Sequence, residues 1–253
     1  MSRCFMKIGI MDSGIGGLTV LRECLSQLPN HEYLYYADSK NAPYGNKPPA
    51  AVYELTAHVV DHLIQQGAEM IVLACNTATA AAAAALRAKY DLPIIGMEPA
   101  VKPALAAAGH KRVLVTATEL TLTQPKYLTL LDTLNAVDKV DGVALTELVA
   151  FSEAGDFSRS TVFPYLQEKL AQFALDDYGS VVLGCTHFPL FQEFFAELFP
   201  DDVAILDGAV GTTKRIKDFV TSDSQNPDVT FYLSGDLLTE GARFDLMQQI
   251  IKR

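Results

Sequence analysis

Short apolar runs rich in branched residues alternate with helical stretches along most of this chain, and no other feature constrains its fold as strongly. The runs are Lys7 to Met11, Tyr33 to Tyr36, Met70 to Ala74, Pro93 to Gly96, Arg112 to Thr116, Val143 to Leu148, Val181 to Gly184 and Val203 to Leu206. Between most of them lie helical stretches at Gly17 to Gln27, Pro48 to Gln66, Thr77 to Lys89, Glu98 to Ala108, Pro125 to Asp132, Phe163 to Ala174 and Phe188 to Leu198. Strands buried on both faces read as continuous apolar runs, so the pattern predicts an α/β protein of mainly parallel sheets flanked by helices.

A chain of 253 residues, 49% hydrophobic, has material for one large or two small cores. The net charge of -10 and pI near 4.9, without a dense Lys/Arg cluster, argue against a nucleic-acid partner, which needs a basic stripe. The N-terminal stretch turns polar and glycine-rich too early for a signal peptide. The longest weakly polar run, Ile71 to Leu86, is interrupted by Asn76, Thr77 and Thr79 and falls short of a bilayer span, so no membrane partner is expected. Cys4, Cys24, Cys75 and Cys185 lack zinc or disulfide spacing, which fits a reducing cytoplasm. Cys185 and His187 have no further obvious ligands, and no metal is expected.

Two segments, Ala74-Cys75-Asn76-Thr77 and Gly184-Cys185-Thr186-His187, each close an apolar run, with their cysteines 110 residues apart. The strands Lys7 to Met11 and Arg112 to Thr116, each opened by a basic residue and followed by a polar turn, correspond at a similar offset. Two similar lobes are expected, with strand ends facing a shared cleft. Residues 1–98 and 208–253 make the first lobe, the segment after Asp207 returning as a helix, and residues 99–207 make the second. Ligands of such sheets bind beyond the carboxyl ends of the strands.

Buried cysteine is usually inert packing, which is the reading for Cys4 and Cys24. Cys75 and Cys185 are different, because each is followed by hydrogen-bonding side chains that packing does not require, and His187 adds a group that titrates near neutrality. Asn76 or Thr77 is the expected N-cap of the alanine-rich helix after Cys75. Asp12-Ser13-Gly14-Ile15-Gly16-Gly17 lacks the third glycine of a dinucleotide fingerprint and the lysine of a P-loop, leaving an anion-cradling turn. Asp12 is either a helix cap or a carboxylate that orients an amine or relays a proton. Thr118 and Thr121 are caps or hydroxyls for a carboxylate, and the Asp38 to Gly45 segment alone reads as a turn-rich loop.

Taken together, Asp12-Ser13-Gly14-Ile15-Gly16-Gly17-Leu18, Ala37-Asp38 with Pro43-Tyr44-Gly45, Cys75-Asn76-Thr77-Ala78 and Gly184-Cys185-Thr186-His187-Phe188-Pro189 resemble the glutamate racemase family, in its order and spacing. The resemblance covers essentially the whole chain. It implies a cofactor-independent racemase of the aspartate/glutamate racemase superfamily, working on glutamate to supply D-glutamate for peptidoglycan. It also implies two pseudo-symmetric α/β lobes with the active site between them, often as a homodimer. Cys75 and Cys185 carry over as the acid/base pair, assisted by Asp12 and His187. Asp12, Ser13, Tyr44, Gly45, Asn76, Thr77, Thr186 and His187 carry over as substrate-binding positions, with Thr118 and Thr121 supplying the second lobe's hydroxyls. Family members often have a Cys-Pro-x-Phe-Val-Pro-x-Val-Glu segment where this chain reads Leu145 to Glu153, and only Val149 and the final Glu153 match well.

Overall fold

The computed structural model describes residues 6–220 and 228–252. Cys4, read above as packing, lies outside the described residues. The chain divides into two compact units, Met1–Glu98 with Ala209–Arg253, and Pro99–Gly208.

In chain order the first unit opens with β1 (Lys7–Asp12), α1 (Leu18–Gln27), β2 (Glu32–Ala37), α2 (Pro49–Gln65), β3 (Met70–Leu73), α3 (Asn76–Lys89) and β4 (Ile94–Gly96). The second unit comprises α4 (Val101–Ala108), β5 (Arg112–Ala117), α5 (Glu119–Thr123), α6 (Pro125–Thr133), β6 (Val140–Ala144), α7 (Glu147–Glu153), α8 (Arg159–Leu170), β7 (Tyr178–Leu183), α9 (Gln192–Leu198) and β8 (Ala204–Asp207). The chain then returns to the first unit through α10 (Ala209–Lys217), β9 (Asp228–Leu233), β10 (Asp236–Leu238) and α11 (Ala242–Lys252).

The first sheet has the order β10-β9-β2-β1-β3-β4 and the second β6-β5-β7-β8. Every pairing is parallel except that of β9 with β10. The run β2-β1-β3-β4 has the same connectivity as β6-β5-β7-β8, so β3 and β7, which carry the two cysteine segments at their ends, occupy equivalent places in their own sheets. That is the correspondence the sequence offset implied.

The apolar runs become strands because the inner strands of each sheet are covered on both faces. β3 and β7 are buried at every position. The alanines Ala78, Ala82 and Ala83 on α3 are buried as well, their short side chains letting the helix pack closely. In the second unit Val101 and Ala104 of α4, Val113 and Val115 of β5 and Val182 of β7 share one core.

Several expectations about elements change, and the helix expected at Phe163 to Ala174 is α8, Arg159–Leu170. The run Val143 to Leu148 is not one strand: β6 ends at Ala144, and α7 begins at Glu147. The stretch Phe188 to Leu198 begins as a 3-10 turn over Phe188–Phe191, and α9 starts only at Gln192. Beyond Asp207 the chain forms α10, the β9-β10 hairpin and α11, rather than only a helix. Among the described residues no helix is long and apolar enough to cross a membrane.

Candidate active site

The first unit gathers its polar residues where adjacent parallel strands end. Two hydrogen bonds continue the ladder past the strand ends, from Asp38 N–H to the Asp12 carbonyl at 3.0 Å and from Ala74 N–H to the Met11 carbonyl at 2.9 Å. Asp12, Asp38 and Cys75 are thereby carried on three neighbouring turns at the carboxyl edge of the sheet, where open α/β sheets bind ligands.

Cys75 itself is the N-cap of α3, in place of the Asn76 or Thr77 expected from sequence, both of which lie inside the first turn. Its sulfur accepts the Ala78 N–H at 3.4 Å. The same sulfur faces the Ser13 hydroxyl, its thiol donating at 3.7 Å. A backbone N–H at a helix N-terminus supports negative charge on the atom it points to. Asn76 is buried, and its amide oxygen has no hydrogen-bond partner. Leaving a buried acceptor unpaired is costly, and a ligand N–H would remove that cost. Thr77 is buried beside it.

Asp12 is fully buried, and its Oδ1 accepts the Gly14 N–H at 3.0 Å. The turn is thus closed by Asp12, while α1 is capped by Gly17 with no side-chain bond. Tyr44 is also buried, and its hydroxyl donates to Asp38 Oδ2 at 2.7 Å. Asn41 Nδ2 donates to both Asp38 oxygens at 3.1 Å. Burial raises the Asp38 carboxyl above its ordinary pKa, and the bonds from Tyr44 and Asn41 act against that rise. Burial, then the charge and hydrogen bond of Asp38, hold the Tyr44 phenol far above its usual value, with smaller contributions from the charges of Cys75 and Asp12. The phenol therefore remains a donor, within electrostatic reach of all three groups. Gly45 sits half-buried in the short turn Tyr44–Asn46.

The second unit builds its cluster on β5, β7 and α7. Gly184 N–H donates to the Thr116 carbonyl at 2.7 Å, extending the ladder to the residue before Cys185. A Cβ at Gly184 would meet that carbonyl oxygen at 2.7 Å, so only glycine permits the approach. Cys185 Sγ lies 3.7 Å from His187 Nδ1, Thr186 Oγ1 lies 3.4 Å from the same nitrogen, and His187 Nε2 lies 2.8 Å from Glu153 Oε1. Burial opposes charging of the His187 ring, but the hydrogen bonds and charges of Cys185 and Glu153 outweigh it and raise the pKa well above the usual imidazole value. Both ring nitrogens are engaged by the protein, which does not suit the metal pair weighed from the sequence.

Thr118 caps α5, its Oγ1 accepting the Thr121 N–H at 3.3 Å, and the two hydroxyls lie 2.9 Å apart. Cys24, by contrast, is buried against the Thr213 hydroxyl at 3.5 Å, and burial pushes its thiol up to about 12. Asp38 and Glu153 are the side chains whose parts the sequence reading did not assign. Asp38 follows a strand end as Asp12 does, which was an available signal. Glu153 stood out only as a matching position in an otherwise divergent segment.

Thiols, an imidazole and carboxylates at the ends of parallel strands are the equipment of an enzyme that moves protons. A model of the Asp/Glu/Hydantoin racemase family matches residues 8–215, and the chain belongs to that family. It is an isomerase, an amino-acid racemase. It is 44% identical over 236 residues to a glutamate racemase of Halothermothrix orenii, covering 91% of this chain and 93% of that one. The crystal structure of glutamate racemase from Campylobacter jejuni superposes with a TM-score of 0.82 at 27% identity, covering 97% of this chain and 96% of that one. The Escherichia coli glutamate racemase, solved in complex with L-glutamate and the activator UDP-MurNAc-ala, matches with a TM-score of 0.82 at 26% identity over 98% of this chain and 94% of that one.

Proposed function

We propose that this protein interconverts L- and D-glutamate by cofactor-independent proton transfer at Cα, with Cys75 and Cys185 as the acid/base pair. The observation that carries this reading is the repeated one: a cysteine just past the third strand of each sheet, with polar companions that packing does not need. Relatives named glutamate racemase, one of them solved with L-glutamate, supply the substrate.

Inversion requires that one group remove the α-proton from one face while another returns a proton to the opposite face. With L-glutamate, Cys185 as thiolate takes the proton and Cys75 as thiol delivers its own, giving D-glutamate and a pair ready for the reverse reaction. The α-proton is very weakly acidic, so the carbanion must be stabilised by donors held in place beforehand. Asn76, Thr77 and Thr186 are assigned to the substrate carboxylates together with nearby backbone N–H groups, and the free Asn76 amide oxygen suits the substrate ammonium. Ser13, Tyr44 and Gly45 complete the binding positions of the first unit, and Thr118 and Thr121 those of the second. Asp12 assists Cys75 and His187 assists Cys185. The wider role carried by the resemblance is supply of D-glutamate for peptidoglycan from a cytoplasmic homodimer.

Optical rotation of L-glutamate solutions with the purified protein tests the reading. Rotation should decay to zero, with aspartate much slower, and Cys75→Ser or Cys185→Ser should each nearly abolish the decay. Glutamate binding without any loss of rotation would favour a non-catalytic amino-acid-binding protein.

A further inference from the structure

The turn that joins β9 to β10 is tied to the loop carrying Tyr44. Leu233 and Asp236 pair across the antiparallel ladder, so Ser234 and Gly235 alone form the hairpin loop. Both have positive φ, 50° at Ser234 and 99° at Gly235, as a type I′ turn requires. Asparagine and glycine are the residues such a turn favours, and a serine held there is strained. Local turn chemistry does not explain the serine.

Its contacts do. Ser234 N–H donates to the Ala37 carbonyl at 2.8 Å, and Ser234 Oγ accepts the Lys40 N–H at 3.0 Å. Arg243 of α11 donates to Ser39 Oγ at 3.1 Å. These bonds land on Ala37, Ser39 and Lys40, all within two residues of Asp38, whose carboxylate seats both Tyr44 and Asn41. The family match ends at residue 215, so the hairpin that braces this loop lies outside the matched region.

We propose that Ser234 is a positioning residue for substrate binding: by accepting the Lys40 N–H, its hydroxyl fixes the Ser39–Lys40 turn and with it the Asp38 carboxylate that seats Tyr44. The proposal rests on the reading of Tyr44 and Gly45 as substrate-binding positions. Its logic separates hydroxyl from strain. Ser234→Gly and Ser234→Ala both remove the acceptor, but glycine relieves the left-handed conformation while alanine keeps it.

Both variants should raise KM for L-glutamate about three- to tenfold while changing kcat by less than about twofold, since a hydrogen bond that orders a binding loop is lost and the chemistry is not touched. The thermal midpoint of Ser234→Gly should hold or rise, and that of Ser234→Ala should fall. Hydrogen exchange without substrate should be faster at the Lys40 and Asn41 amides in both variants. A KM that rises only in the less stable variant, or exchange at Lys40 unchanged in Ser234→Gly, would overturn the proposal. A wild-type protein inert toward glutamate would count instead against the proposed function, because the exchange measurement needs no substrate.

Discussion

His187 Nε2 and Glu153 Oε1 stand 2.8 Å apart, and the opposite ring nitrogen faces the Cys185 sulfur at 3.7 Å. Carboxylate, imidazole and thiol thus form a line within one unit, an arrangement in which the carboxylate orients the ring and favours its charged form. The Cys75 sulfur, in the other unit, meets the α3 N-terminus and the Ser13 hydroxyl, so the two thiols have different surroundings.

Replacing Glu153 with glutamine should therefore lower the His187 pKa. In the wild type the folded value is raised, so the imidazolium contribution to stability is complete below the unfolded value of about 6.5 and is lost as pH rises through the folded value. Glu153→Gln should lower kcat/KM by about ten- to a hundredfold and move the alkaline limb of its pH profile to lower pH. Superimposable profiles for the two proteins would show that Glu153 does not govern the ring.

Tyr44→Phe leaves one buried oxygen of Asp38 without its 2.7 Å donor. The change should reduce unfolding free energy by about 1–3 kcal/mol and raise KM. It should also push the Asp38 carboxyl further up, since the phenol's hydrogen bond acts against burial there. Denaturant titration with steady-state kinetics checks both, and an unaltered KM would remove Tyr44 from the binding positions.

Gly17→Ala should be poorly tolerated, because the added Cβ would sit 2.6 Å from Asp12 Cβ, 3.0 Å from the Tyr35 hydroxyl and 3.1 Å from Ala74 Cβ. Relief requires moving the Asp12 turn or the residue before Cys75. A loss of about 1–3 kcal/mol is expected, with a fall in activity measured well below the melting transition. Full activity at full stability would show that the turn yields without consequence.

Cys24 should escape alkylation in the folded protein, since its thiol is buried and burial pushes its pKa up to about 12. Iodoacetamide followed by mass spectrometry should find Cys75 and Cys185 modified and protected by glutamate, and Cys24 modified only after unfolding. Native labelling of Cys24 would contradict its packing role.

Most strands were legible because a buried parallel strand leaves an unbroken apolar run, as in Met70–Leu73. Where reading failed, a non-local contact had overridden local chemistry. β6 begins at Val140 although Asp141 and Gly142 look like turn residues, because Arg112 on the adjacent β5 neutralises the Asp141 carboxylate and Tyr178 on β7, one strand further on, bonds it. β7 begins at Tyr178, ahead of the expected Val181, with Gly179 in the strand because a Cβ there would strike the Ala108 carbonyl oxygen at 2.7 Å. The β9-β10 hairpin went unread because β9 pairs with β2, far away in the chain. The cysteines were visible as motifs, but the Cys75 cap and the Glu153 contact depend on backbone geometry that no spacing encodes.

The central claim is that two different groups serve the two faces of one carbon. L-glutamate turned over in deuterated water, followed by NMR at low conversion, tests it most directly. The two-thiol account predicts deuterium at Cα of the D-glutamate formed, while the remaining L-glutamate keeps its proton. Deuterium entering the unreacted L-glutamate as fast as the product would mean that one base serves both faces, and would contradict the account.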